Sequence, residues 1–228
     1  MVNGYEINDL VKEEPWRMFR IIGEFVEGFD KLAGVEPAVT IYGSARVIPD
    51  DTLYVQTAEI AHRLGELGFS IITGGGPGIM EAANKGAAEA GAKSIGLNIE
   101  LPIEQACNIY ATKTVTFKHF FIRKVMLVKY ATAFIIMPGG LGTLDELTEV
   151  LTLMQTHKIK PFPIILYDSK FWKGFLDWLR GDVLARGYVS EEDFDLLMIC
   201  DNPTAVIEAV QKWYIKQEVV GKRAFSNR

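Results

Sequence analysis

Phe134-Ile-Ile-Met-Pro-Gly-Gly-Leu-Gly-Thr-Leu-Asp-Glu146 is the stretch on which the fold of this chain turns. Ala133 to Met137 form an apolar run of the length expected for a strand buried on both faces. The run breaks at Pro138-Gly139-Gly140, and from Thr143 to Gln155 the pattern is helical. Leu144, Leu147, Val150, Leu151 and Met154 fall on the buried side of that helix, and Asp145, Glu146 and Glu149 on the polar side. A strand, a glycine turn and a helix start make an anion site, because the backbone can approach a phosphate and the first amides point at it. Glu146 is the unusual part, since a phosphate cradle needs no acid there. Two readings stand. Either the carboxylate works on something beside a bound phosphate, or Thr143 and Glu146 form a capping box at the helix start.

Working outward, two further strands end in small-residue turns. Ala38 to Tyr42 runs into Gly43-Ser44-Ala45-Arg46, where Ser44 offers a hydroxyl and Arg46 a charge. Phe69 to Thr73 runs into Gly74-Gly75-Gly76-Pro77-Gly78, with Pro77 suited to a first helical turn. The spacing misses the dinucleotide pattern GxGxxG, because Ile79 stands where the last glycine belongs, so a mononucleotide fits better. There is no GxxxxGK[ST], which argues against an ATP-hydrolysing P-loop. Helices are expected at Glu14 to Lys31, Thr52 to Leu67, Ile79 to Ala90, Phe171 to Leu184 and Pro203 to about Lys216, with a further helical segment around Phe120 to Leu127 that carries Arg123-Lys124. Further strands are expected at Ser94 to Ile99, Thr112 to Phe117, Pro163 to Tyr167 and Leu196 to Cys200. Alternating strands and helices imply an α/β fold, Rossmann-like and doubly wound, with a mostly parallel sheet and ligands at the strands' carboxyl ends. The reading divides the chain into an N-terminal extension (1–37), a nucleotide-binding domain (38–217) and a flexible tail (218–228). In the extension, Trp16, Phe19, Ile22, Val26 and Phe29 recur at helical spacing, a stripe that covers the sheet or joins an oligomer interface.

Composition narrows the function. With 228 residues, 49% of them hydrophobic, there is ample material for a core. A formal charge of −5 and the lack of a basic stripe disfavour nucleic acid as a partner. No apolar run approaches the ~20 residues of a membrane span, and the acidic N-terminus lacks signal-peptide features. Cys107 and Cys200 match no metal spacing, so the expectation is a cytoplasmic protein with reduced thiols and no bound metal.

Pro138-Gly-Gly-Leu-Gly-Thr-Leu-Asp-Glu146 matches PGGxGTxxE, and the basic pair Arg123-Lys124 precedes it on a helix. Together these motifs resemble the LOG ("lonely guy") family, once described as possible lysine decarboxylases. The resemblance spans roughly residues 38 to 200 and takes in Gly43-Ser44, Gly74 to Gly78 and Leu101-Pro-Ile-Glu104-Gln105. It implies hydrolysis of nucleoside 5′-monophosphates, such as cytokinin ribotides or AMP, to free base and ribose 5-phosphate. It also implies no cofactor and a homodimer or larger homo-oligomer. By position, Arg123 and Glu146 become the catalytic pair. Gly139, Gly140, Gly142 and Thr143 become the phosphate cradle. Gly43, Ser44, Gly75, Gly76, Lys124 and Glu104 become further substrate contacts.

That chemistry suits the residues. Cleaving an N-glycosidic bond develops positive charge on the sugar, which a carboxylate stabilises while activating water. A non-catalytic nucleotide-binding or sensing module is the rival reading. A decarboxylase using pyridoxal phosphate would need a Schiff-base lysine, and the lone His-Lys pair, His157-Lys158, has no glycine turn beside it.

Overall fold

The central strands of the sheet are short apolar runs whose alternate residues feed two separate cores, one on each face, while the strand Lys113–Phe117 at one edge buries only Val115 and Phe117, both in the same core. The computed structural model describes residues 14–101 and 107–226, with side chains described from 16 to 101 and 107 to 217. Among these, the strands are β1 (Ala38–Tyr42), β2 (Ser70–Thr73), β3 (Ser94–Ile99), β4 (Lys113–Phe117), β5 (Ala131–Ile136), β6 (Ile164–Tyr167) and β7 (Leu197–Cys200). They form one sheet of seven strands in the order β4-β3-β2-β1-β5-β6-β7. Every pairing is parallel. The helices are α1 (Glu14–Lys31), α2 (Thr52–Glu66), α3 (Ile79–Glu89), α4 (Phe120–Lys129), α5 (Leu141–Gln155), α6 (Ser169–Trp178) and α7 (Pro203–Ser226).

Parity along the strands decides which core each side chain joins. Tyr42, Ile72, Phe134, Ile136, Ile164 and Leu166 pack with α1, α4, α5 and α6. Val39, Ile41, Ile71, Ala133, Ile135 and Ile165 pack with α2, α3 and α7. This is the doubly wound arrangement expected from the alternation of elements. Strand order reverses between β1 and β5, so the chain leaves those two neighbours in opposite directions. The crevice opened there, at their carboxyl ends, is the ligand position of such folds.

Three expectations change. The stripe Trp16, Phe19, Ile22, Val26 and Phe29 does not cover the sheet; all five residues are exposed. Ile21, Phe25 and Leu32, on another side of the helix, pack on the core instead, and Gly28 lets Met126 and Phe117 come close. Helix α1 is therefore apolar on two faces. The helix expected from Phe171 to Leu184 ends at Trp178, and a π-helical turn, Leu179–Leu184, replaces its last part. Helix α7 runs to Ser226, well past Lys216.

Helices α2 and α3 meet closely through Gly86, where an added Cβ would overlap the Ala58 carbonyl and lie 2.9 Å from the His62 nitrogen. Gly174, on the exposed side of α6, has nothing within 4 Å of such a Cβ. Alanine raises helix propensity by about 1 kcal/mol at either site, but only Gly86 meets backbone, where overpacking costs about 1–3 kcal/mol. Gly86→Ala is therefore expected to lower the urea midpoint, and Gly174→Ala to leave it unchanged or raise it.

Candidate active site

Three turns form the floor of the crevice, and backbone hydrogen bonds lock them together. The Ser44 amide donates to the Pro138 carbonyl (3.0 Å), the Ile79 amide donates to the Ser44 carbonyl (3.0 Å), and the Met137 amide donates to the Tyr42 carbonyl (2.8 Å). Such close approach requires glycines. A Cβ on Gly43 would lie 2.6 Å from Ile79, and one on Gly139 would overlap Thr143. Gly78, at φ +69°, sits against the Ser44 carbonyl.

The crevice above these turns has a volume of about 680 Å³. Gly43, Ser44, Gly140, Gly142, Thr143, Arg123 and Glu146, all singled out from the sequence, line it, together with Tyr42, Gly74, Met80, Phe120 and Asp145. Gly76 lines an adjoining chamber, while Gly75 and Gly139 pack behind the turns. Glu104 lies outside the described residues.

Helix α5 starts earlier than the sequence suggested. Its N-cap is Gly140, which supplies no side-chain hydrogen bond. Thr143 therefore lies inside the first turn, its amide bonded to the Gly140 carbonyl (3.0 Å), and cannot be the cap. The capping box is absent: Glu146 makes no reach-back bond, and its Oε2 is buried without a hydrogen-bond partner. The helix N-terminus is left uncapped and facing the crevice, with the positive end of its dipole available to an anion.

The adjacent cations on α4 are used differently. Lys124 Nζ is 2.8 Å from Glu149 Oε2 and 2.9 Å from Asp145 Oδ2, with Glu146 Oε2 at 3.7 Å. Burial works against this ammonium, but its hydrogen bonds to Glu149 and Asp145 prevail and raise its pKa. Lys124 thus fastens α4 to α5 and does not line the crevice. Arg123 is mostly buried, has no carboxylate within ion-pair distance among the described residues, and leaves its Nε without a partner. Its guanidinium lies over Gly74, where a Cβ would come within 2.5 Å of Nη2. Burial lowers its pKa, opposed by Glu146 and Tyr42.

Glu146 is the complementary group. Its side chain is 11% exposed. Burial, opposed by Lys124 and Arg123 and reinforced by Glu149 and Asp145, raises its pKa to about 7. The arrangement is an uncapped helix start for an anion, an unpaired guanidinium, and a carboxylate poised near neutral pH. Helix α4 reaches this position through α1: Glu24 accepts hydrogen bonds from the amides of Lys118 (3.2 Å) and His119 (3.3 Å), and its Oε1 lies 3.0 Å from His119 Nδ1.

Sequence reasoning missed a buried polar network under the second glycine turn. Thr73 donates to Asn84 (2.6 Å), Asn84 to Ser94 (2.9 Å), and Asn108 to both Asn84 (2.9 Å) and the Gly76 carbonyl (3.0 Å). Asn98, a polar residue inside an otherwise buried strand, was also missed; that interruption was its available signal.

Comparison with known proteins places the chain among relatives of named activity. The chain is 29% identical over 157 residues to the cytokinin riboside 5′-monophosphate phosphoribohydrolase of Mycobacterium tuberculosis, covering 67% of this chain and 82% of that one. It is 30% identical over 142 residues to the pyrimidine/purine nucleotide 5′-monophosphate nucleosidase of Escherichia coli, covering 58% of this chain and 31% of that protein. The Moco carrier protein of Chlamydomonas reinhardtii shares the fold, with a TM-score of 0.56, 21% identity, and coverage of 79% and 98% of the two chains. The model of the family described as "possible lysine decarboxylase" matches residues 80–210, from the first turn of α3 through α5 and into α7. With more than half its length matched and the LOG-type motif seated at the crevice, this chain belongs to that family.

Proposed function

We propose that this protein hydrolyses the N-glycosidic bond of nucleoside 5′-monophosphates, releasing free base and ribose 5-phosphate. The observation that carries the reading is Glu146, a buried carboxylate with an oxygen that accepts no hydrogen bond and a pKa of about 7, placed just inside a helix whose free start faces the same crevice. The phosphate lies on the first amides of α5, between the turn at Gly140 to Thr143 and Ser44. The ribose then reaches the space between Glu146 and Arg123. As the C1′–N bond breaks, its electrons leave with the base, and ionised Glu146 stabilises the cationic sugar. Water attacks C1′ and gives a proton to Glu146, while the departing base takes one from solvent. Arg123 holds an oxygen of the phosphate or ribose, a role suited to an unpaired planar guanidinium. Binding energy from the phosphate is converted into orientation at C1′.

The family's descriptive name suggests lysine decarboxylation, which the residues do not fit. Schiff-base chemistry needs a lysine of lowered pKa, whereas Lys124 is held between two carboxylates and its pKa is raised. His157 and Lys158 follow the far end of α5, about 20 Å from its start.

We further infer a homo-oligomer acting in the cytoplasm. The exposed apolar residues of α1, together with Phe121 and Val125 on α4, make a surface that a second copy would cover. No described helix is long and apolar enough to cross a membrane, and Cys107 and Cys200 are both free.

Incubated with a panel of nucleoside 5′-monophosphates, the protein should release free base, with nucleosides poor substrates. Glu146→Gln and Arg123→Ala should each lose about 10²–10⁴ in kcat. Full nucleotide affinity with no release from any monophosphate would make it a binding module. In the active enzyme, kcat/KM should fall about tenfold per pH unit below about pH 7, as Glu146 is protonated, and level off above it. Lys124→Met removes a cation that lowers the Glu146 pKa, so it should move that limb to higher pH. Light scattering should give a mass of at least two chains, falling in Phe19→Glu/Val26→Glu; an active monomer would refute the oligomer.

A further inference from the structure

The crevice does not end at Arg123. Behind it a smaller chamber of about 220 Å³ shares Gly74, Met80 and Arg123 with the main space, and its other described walls include Gly76, Asn98 and Thr116. Asn98, on β3, is only 7% exposed, and its Nδ2 is buried without a hydrogen-bond partner. Its other amide atom lies against Gly75, where any Cβ would overlap it. Thr116 stands beside it in the β3–β4 register. A buried amide left unsatisfied is costly and demands a partner. The contrast with its neighbours is plain, since Asn84 and Asn108 are bonded through both amide ends.

We propose that this chamber receives the base of the substrate, and that Asn98 reads it by donating a hydrogen bond to a ring nitrogen or carbonyl oxygen on its edge. The assignment rests on the nucleotide reading: with phosphate at the start of α5 and ribose between Glu146 and Arg123, the base extends past Arg123 into the next available space. Size and polarity then select the substrate class. At about 220 Å³ the chamber is below the ~300–1,000 Å³ typical of sites for larger ligands. It suits a single heterocycle better than one carrying a branched apolar chain. An apolar substituent against Asn98 would also leave the amide unpaired, the situation in which hydrogen-bonding sites discriminate most strongly. The preferred substrate is thus a nucleoside 5′-monophosphate with an unmodified base.

The test compares kcat/KM for AMP and for N6-prenylated AMP in the native protein, Asn98→Leu and Asn98→Ser, with ribose 5-phosphate inhibition measured in parallel. The native protein should prefer AMP by about tenfold or more. Asn98→Leu should lose about tenfold or more with AMP, chiefly through KM, and narrow the preference, while inhibition by ribose 5-phosphate stays unchanged. Asn98→Ser keeps a donor and should fall between; it carries the comparison if the leucine variant melts early. Native preference for the prenylated substrate, or undiminished AMP turnover in folded Asn98→Leu, overturns the proposal and leaves the hydrolase reading intact. If the native protein hydrolyses neither, the hydrolase reading falls, and calorimetry decides the chamber separately. Weaker AMP binding in Asn98→Leu then supports it, and equal binding overturns it.

Discussion

The backbone of Ser44 is the constraint on which the site depends. Its amide is tied to the turn after β5 and its carbonyl to the start of α3, so three turns from different parts of the chain share one short segment. Parallel strands bring their carboxyl ends to the same edge, but pairing alone leaves the loops beyond them undirected. The cross-turn hydrogen bonds fix those loops, and they form only because Gly43, Gly78 and Gly139 carry no Cβ at the points of contact. The glycines thus build a rigid floor, which gives Gly139 a structural role although it does not line the crevice.

On that floor the fold carries a group it would be more stable without. Raising a carboxylate to about 7 makes its ionisation inside the fold cost on the order of 3 kcal/mol relative to the unfolded chain. The sign follows from linkage. Between about pH 4.5 and 7 the folded state holds a proton on Glu146 that the unfolded chain has released, so stability falls as pH rises through that window. The ionised form, the one the proposed chemistry uses, appears as the fold is weakened. Lys124 moderates the conflict: it lowers the Glu146 pKa, while its own charge is neutralised by Asp145 and Glu149. Exchanging the roles of the two cations would give neither effect, because an arginine locked to α5 and a flexible lysine in the crevice would lose the unpaired planar fork.

Much of this was legible in the sequence because it rests on local pattern. Seven strand patterns, most of them apolar runs, alternate with helices and so specify a parallel sheet, and PGGxGTxxE with Arg123 marks the crevice. What escaped depends on contacts between distant segments. Thr143 has the sequence of a cap, but the helix begins at Leu141, and one early turn converts a cap into a wall residue. Arg123 and Lys124 are indistinguishable by spacing; only the approach of α5 assigns one to structure and leaves the other unpaired. The apolar stripe of α1 has the right period for a core face, yet Ile21, Phe25 and Leu32 take that role. Periodicity identifies an apolar face without saying what covers it.

Helix α1 also connects the extension to the chemistry. α4 has no side-chain cap of its own at His119, and Glu24, from α1, supplies the missing acceptor to the Lys118 and His119 amides. A negative charge at that end also suits the helix dipole. The other tie lies near the far end, where the Thr40 hydroxyl donates to the Leu127 carbonyl at 3.0 Å. Helix α4 is thus pinned at one end by the extension and at the other by β1, with Arg123 between the two anchors. A guanidinium held over Gly74 with no carboxylate partner among the described residues needs such support. Helix α1 is therefore part of what positions Arg123 in the crevice.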